Sequence, residues 1–221
     1  MCEFGLRDSG NMIYTEKGWI KLKVNRNIPN ILCIFRIIMI PFILIFMLDN
    51  PVSEMLAVWV RMLIAGILFG IAMLTDLFDG KIARRYDLVS NLGKFLDPIA
   101  DKMLVVSVLC AFVGNDVMPV LPLIIIIGRE FCVTMLRMIA AGTGDVLSAK
   151  IWGKVKTTLQ ATVIGAVFVY LMVMYILNPD IAGFGSGCPF SLVPGILVWI
   201  LAIVTVISAV PYFKGSKKYL R

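Results

Sequence analysis

Six long apolar segments, separated by short polar connections, dominate this chain. They comprise residues 31–48, 55–75, 95–114, 119–141, 157–177 and 194–213. Each is close to the ~20 residues that a helix needs to cross a bilayer. The bilayer interior contains no water to hydrogen-bond the backbone, so a continuous apolar segment crosses it as a helix. With 60% hydrophobic and 16% charged residues, the chain is also more apolar than an average soluble domain. The sequence therefore predicts an all-α integral membrane protein with six transmembrane helices.

The polar connections fall into two groups that differ in charge. Those at 49–54, 115–118 and 178–193 contain no lysine or arginine, whereas the N-terminal segment, residues 76–94, residues 142–156 and the C-terminus are basic. Basic connections tend to stay on the cytoplasmic side of a membrane. We therefore expect both termini and the 76–94 connection to face the cytoplasm, in agreement with an even number of spans.

The sequence divides into three parts. Residues 27–213 form the predicted six-helix domain, and residues 214–221 form a basic cytoplasmic tail. Residues 1–26 are polar and are expected to lie in the cytoplasm or along the headgroups, where residues 13–23 can form an interfacial amphipathic segment. An unstructured tail is the alternative for residues 1–12.

The residue types exclude several classes of function. The five cysteines are scattered without a C-x-x-C pair, which argues against a disulfide framework or a zinc site. Histidine is absent, which removes imidazole bases and Ser-His triads. The net charge of +7 lies beside apolar segments, a pattern typical of membrane topology and anionic headgroups rather than of nucleic-acid binding. Carboxylates are therefore the expected acid–base groups.

Four aspartates lie where apolar segments end or begin: Asp76, Asp79, Asp97 and Asp101. Charges at the edge of hydrocarbon are costly unless they are paired or bound to a metal. On helices the first two are three residues apart and the last two are four apart, so each pair shares a face. Two such pairs on neighbouring helices would repel each other unless divalent cations neutralise them. The alternative is that the aspartates cap helices or pair with nearby cations, as we expect of Asp87.

The same stretch carries a longer motif. It reads D-x2-D-G-x2-A-R-x8-G-x3-D-x3-D over residues 76–101. Besides the aspartates, its fixed positions are Gly80, Ala83, Arg84 and Gly93. The chain thereby resembles the CDP-alcohol phosphotransferase family. The resemblance implies a membrane enzyme in which an alcohol attacks the β-phosphate of a CDP-linked lipid and releases CMP.

The resemblance also implies a role for each motif residue. Two divalent cations, Mg²⁺ or Mn²⁺ as suits all-oxygen ligands, are implied at Asp76, Asp79, Asp97 and Asp101. Asp101 is further implied to accept the proton of the attacking hydroxyl. The positions implied to bind the CDP group are Gly80, Ala83, Arg84, Ser90 and Asn30. From the residues alone, Gly80 and Ala83 are small enough for a bulky group to approach the helix, and tight helix packing is the alternative.

Further charges lie within the fourth apolar segment, where an unpaired arginine is costly. These are Arg129, Glu130 and Arg137, and Lys154 and Lys156 follow beyond the next connection. Together the four cations predict a basic pocket for an acceptor that carries its own phosphate. The alternative is that Arg129 or Arg137 simply pairs with Glu130.

Three stretches are similar to the bacterial phosphatidylglycerophosphate synthases of that family: residues 27–32 with Arg36, residues 127–130 and residues 149–158. The similarity implies CDP-diacylglycerol and glycerol 3-phosphate as substrates. It also implies a homodimer in the bacterial inner (cell) membrane, with the active site facing the cytoplasm. Two rivals stay open. Another acceptor, such as phosphatidylglycerol, serine or inositol phosphate, fits the motif, and intramembrane carboxylates also occur in cation-coupled transporters.

Overall fold

The computed structural model of the chain is built from α-helices. Its backbone is described at residues 28–51, 53, 55–86, 91–142, 150–178 and 190–216, and its side chains at residues 33–51, 53, 55–75, 102–140, 153, 155–178, 190–213 and 215. Within these residues there is no strand, and the predicted all-α class is confirmed. The N-terminal segment 1–26 and residues 217–221 of the basic tail lie outside the described residues.

Each of the six apolar segments is mostly helical, and the last one contains two helices. The helices are α1 Ile28–Met47, α2 Val58–Tyr86, α3 Asn91–Gly114, α4 Val120–Gly142, α5 Lys150–Leu177, α6 Leu192–Ile207 and α7 Val210–Ser216. Among the described residues, three stretches are long and apolar enough to cross a membrane: Val58–Thr75, Val155–Leu177 and Leu192–Phe213. α1 and α3 add shorter apolar stretches, Cys33–Met47 and Lys102–Gly114. The chain therefore has the character of a membrane protein, and the number of six spans stays a prediction.

The last apolar segment differs from the single helix that the sequence predicts. α6 ends at Ile207, and α7 begins at Val210. Pro211 explains the break, because it has no N–H to donate to the carbonyl of Ile207 and its ring would clash with that carbonyl in a continuous helix. A hydrogen bond of 2.9 Å from the Tyr212 amide to the Ala209 carbonyl closes the turn. Tyr212, just past the break, is fully buried.

Phe168 of α5 connects the helices of the main apolar core. Its ring centroid lies 5.8 Å from that of Phe69 in α2 and 5.1 Å from that of Phe112 in α3. α1 packs along both α2 and α3. Because the connection from Tyr86 to Asn91 is short, the ends of α2 and α3 that carry the motif aspartates extend from this core towards the same side.

The C-terminal end of α1 is held by side chains from elsewhere in the chain. Arg61 of α2, only 2% exposed, donates Nη2 to the Leu48 carbonyl at 3.0 Å and pairs with the Asp49 carboxylate at 2.9 Å. Asn115, in the turn between α3 and α4, donates Nδ2 to the Met47 carbonyl at 2.7 Å. These bonds satisfy carbonyls that the end of a helix leaves without partners. They fix α1, α2 and α3 together at the end away from the motif aspartates.

Candidate active site

The motif aspartates lie on two consecutive helices. Asp76 and Asp79 belong to α2, and Asp97 and Asp101 belong to α3. Both helices are continuous through these positions. The spacings of three and four residues therefore place each pair of positions on one side of its helix. The side chains of all four lie outside the described residues, so the convergence of their carboxylates stays a prediction.

The predicted CDP-binding residues are found at the same end of the helices. Gly80, Ala83 and Arg84 follow the first two aspartates towards the end of α2, and Asn30 lies in the first turn of α1. α1 packs along α2, and its other end is bonded to the start of α2 through Arg61. The start of α1 is therefore near the end of α2. Ser90 lies outside the described residues, as do the side chains of the other four.

Charged side chains from three helices meet around the middle of α4. This basic cluster consists of Lys102 of α3, Arg129, Glu130 and Arg137 of α4, and Lys156 of α5. Four cations and one carboxylate give these five residues a net charge of +3 at neutral pH. The structure thus brings together three of the four predicted acceptor-pocket residues. The side chain of the fourth, Lys154, is not among those described.

Glu130 lies between several of these cations. Its Oε1 pairs with Nζ of Lys156 and is 3.6 Å from Nη1 of Arg129. The side chains of Glu130, Lys156 and Arg129 are only 14%, 7% and 8% exposed, respectively. Lys102 donates to the Thr134 hydroxyl, which donates in turn to the Glu130 carbonyl at 2.7 Å. Since a buried ion is costly when it has no partner, the Glu130 carboxylate compensates the charges of Lys156 and Arg129.

Arg129 is anchored on its other side by the break between α6 and α7. Its Nε donates to the Thr205 carbonyl at 3.1 Å, and its Nη2 donates to the Ser208 hydroxyl at 2.8 Å. Arg129 therefore does pair with Glu130, as the alternative to a basic pocket predicts, but it also connects α4 to the end of α6. This anchoring gives its guanidinium a fixed position.

Arg137 is held by Tyr212. Its Nη2 donates to the Tyr212 hydroxyl at 2.6 Å, and its guanidinium carbon lies 5.0 Å from the centroid of the ring, against 5.9 Å for that of Arg129. Gly153 of α5 comes so near that a Cβ atom there would lie 2.9 Å from the Tyr212 hydroxyl. α4, α5 and α7 thus meet at one hydroxyl group, and a single aromatic ring holds both arginines.

Sequence reasoning found the cations of the cluster but not the groups that orient them. Tyr212 and Ser208 are ordinary residues near the end of an apolar segment, and their contacts with α4 join positions more than seventy residues apart. Lys102 directly follows the motif aspartate Asp101 and was not predicted to join this cluster. The one available signal was Pro211, a residue type that is frequent at helix breaks but does not by itself predict one beside Tyr212.

A sequence profile of the family described as CDP-alcohol phosphatidyltransferase matches residues 26–209. The chain belongs to this family, and it is a membrane enzyme that transfers a phosphatidyl group. The resemblance indicated by the motif is confirmed, and the transporter hypothesis is set aside.

Three similar bacterial proteins are named CDP-diacylglycerol–glycerol-3-phosphate 3-phosphatidyltransferase. The one from Bacillus subtilis is 38% identical over 200 residues, which cover 88% of this chain and 97% of the relative. The one from Rickettsia felis is 36% identical, with 90% and 99% coverage. The one from Haemophilus influenzae is 35% identical, with 86% and 94% coverage.

Proposed function

We propose that the enzyme transfers the phosphatidyl group of CDP-diacylglycerol to glycerol 3-phosphate, giving phosphatidylglycerophosphate and CMP. The basic cluster is the main structural observation that supports glycerol 3-phosphate as the acceptor. Its five residues sum to +3 in a largely buried site, and a phosphate monoester complements such a site with about two negative charges and three acceptor oxygens. The names of the relatives, which specify these two substrates at 35–38% identity over most of the chain, support the same choice.

The four motif aspartates suit two hard divalent cations. They supply only carboxylate oxygens, which Mg²⁺ and Mn²⁺ prefer, and they are spaced on α2 and α3 so that each helix offers two of them on one side. We infer that Asp76, Asp79, Asp97 and Asp101 hold two such ions. When bound, the ions polarise the phosphoryl oxygens and neutralise the leaving CMP phosphate.

Asp101 accepts the proton of the attacking hydroxyl as the new P–O bond forms. Its position supports this role, because the next residue along α3 is Lys102, a member of the basic cluster. The proposed base and the proposed phosphate site are therefore neighbours on one helix. Glycerol 3-phosphate has its phosphate and its free primary hydroxyl at opposite ends of a three-carbon chain, so one molecule can reach both. Holding the acceptor in this way supplies the positioning on which phosphoryl transfer depends.

The CDP group is assigned to the ends of α1 and α2. Gly80 and Ala83 leave room beside the α2 backbone, and Arg84 offers two parallel N–H donors to a phosphate. Asn30 and Ser90 complete the proposed set. This group lies beside the metal positions on α2, so the β-phosphate of the lipid would be placed next to the cations.

The distribution of lysine and arginine supports a cytoplasmic active site in the bacterial inner membrane. With six transmembrane helices and both termini in the cytoplasm, the aspartate ends of α2 and α3 face the water-soluble acceptor. CDP-diacylglycerol then enters from the leaflet, and the enzyme works as a homodimer.

A panel of acceptors tests the proposed reaction. The purified enzyme in detergent, with CDP-diacylglycerol and Mg²⁺ or Mn²⁺, is expected to release CMP with glycerol 3-phosphate and not with serine, inositol phosphate or phosphatidylglycerol. A reaction without acceptor controls for hydrolysis of the CDP-lipid. Release with serine but not with glycerol 3-phosphate would overturn the acceptor and leave the reaction class standing.

A further inference from the structure

Glu130 is an acidic residue in a site that is assigned to an anion. We propose that Glu130 is the internal counter-ion of the acceptor site: its carboxylate pairs with Lys156 while the acceptor is absent, and the acceptor's phosphate replaces it at Lys156 on binding. This inference rests on the proposed function, because it requires an acceptor that carries a phosphate. It is carried by the shared contact of Glu130 Oε1 with Lys156 and Arg129.

Lys156 can change partners more readily than the two arginines of the cluster. Arg129 is fixed by the Thr205 carbonyl and the Ser208 hydroxyl, and Arg137 is fixed by the Tyr212 hydroxyl. Lys156 instead presents a compact ammonium group on a flexible four-carbon stem. Small rotations of that stem move the ammonium from a carboxylate to a neighbouring phosphate without moving α5.

A phosphate monoester competes well with Glu130 for this ammonium. It carries about twice the charge of a carboxylate and three acceptor oxygens. After the exchange Glu130 is not left alone, because Arg129 Nη1 lies 3.6 Å from the same oxygen. Arg129 therefore lets the carboxylate give up Lys156 without becoming an unpaired buried charge.

Two consequences follow for the enzyme. In the acceptor-free protein Glu130 offsets part of the repulsion among four clustered cations, which stabilises the fold. Towards the acceptor it acts as a competitor, so it weakens the binding of glycerol 3-phosphate. The product keeps the same phosphate group, and the same competition therefore helps the product to leave.

The Glu130→Gln enzyme separates these effects. Glutamine keeps the shape and one acceptor oxygen for Lys156 but removes the charge. We expect the KM for glycerol 3-phosphate to fall about three- to tenfold, inhibition by inorganic phosphate to strengthen in parallel, and kcat not to rise. The matched control is Asp49→Asn, which removes a carboxylate from another buried arginine, Arg61, far from the cluster; its KM is expected to equal that of the wild type.

A KM in Glu130→Gln that stays the same or rises would overturn the inference, since Glu130 would then only position Lys156. If the variant is poorly stable, its thermal midpoint is the readout: inorganic phosphate is expected to raise it more than that of the wild type. Equal shifts would overturn the inference as well. Failure of the proposed function is seen separately, as a wild-type enzyme that makes no phosphatidylglycerophosphate.

Discussion

A methyl group added at position 153 tests whether the contact between Arg137 and Tyr212 orients the acceptor pocket. The Cβ atom of a Gly153→Ala enzyme would lie 2.9 Å from the Tyr212 hydroxyl and 3.3 Å from Nη2 of Arg137. The first distance is shorter than real Cβ contacts allow. Tyr212 is fully buried, and its stiff ring cannot swing away as a flexible chain would. The hydroxyl must therefore move by several tenths of an ångström, and Arg137 must move with it.

The size of the effect follows from two opposing terms. Overpacking of this kind costs about 1–3 kcal/mol, whereas replacing glycine by alanine in a helix returns up to about 1 kcal/mol. The net loss of stability therefore lies between zero and about 3 kcal/mol. If the hydrogen bond between Arg137 and the Tyr212 hydroxyl is lengthened but not lost, the cost is about 1.5 kcal/mol or less. That corresponds to a rise of about two- to tenfold in the KM for glycerol 3-phosphate.

The assay is CMP release at varied glycerol 3-phosphate, with the thermal midpoint in detergent measured beside it. Gly165→Ala is the matched control, because it lies on the same helix and its Cβ would meet no atom within 4 Å. We expect the KM to rise in the Gly153 variant alone, with the KM for CDP-diacylglycerol unchanged in both. Indistinguishable acceptor KM values and midpoints in the two variants would refute the role given to this contact.

Three further changes test other parts of the structure. Asp101→Asn is expected to abolish turnover while equilibrium binding of CDP-diacylglycerol survives, and loss of both would contradict its role as the base. Arg129→Ala is expected to raise the KM for glycerol 3-phosphate and to cost about 3 kcal/mol of stability, because it leaves Glu130 with one cation fewer; unchanged acceptor kinetics would exclude Arg129 from the pocket. Arg61→Met is expected to lower the thermal midpoint without changing either KM, since Arg61 caps α1 at the end away from the aspartates. A changed acceptor KM would contradict that separation.

Local patterns were enough to predict the helices. Continuous apolar runs of spanning length can only be helices in lipid, and each of the six runs is mostly helical in the part of the chain that the structure describes. The break between α6 and α7 was not predicted, although Pro211 marks it. Proline is often found near helix starts, so its presence alone does not show whether an apolar run bends or ends.

The sequence was enough to predict those parts of the candidate site that depend on the spacing of residues or on the free-energy cost of a charge in an apolar segment. The motif aspartates repeat at helical intervals. Arg129 and Arg137 are charged side chains within an apolar run, where a charge is energetically unfavourable unless it is paired. The orientation of these arginines was not predictable, because it depends on contacts with Ser208 and Tyr212 that arise only when α4 packs against α6 and α7. No pattern within one segment carries that information.

The dependence of lipid synthesis on free divalent cation tests most directly whether the four aspartates work through a pair of metal ions. The measurement is the formation of labelled phosphatidylglycerophosphate from CDP-diacylglycerol and labelled glycerol 3-phosphate by metal-stripped enzyme, titrated with Mg²⁺ or Mn²⁺. We expect no product before metal is added and full recovery afterwards, with Asp97→Asn requiring more metal than the wild type. Undiminished synthesis by the stripped enzyme would contradict the metal site and the mechanism built on it.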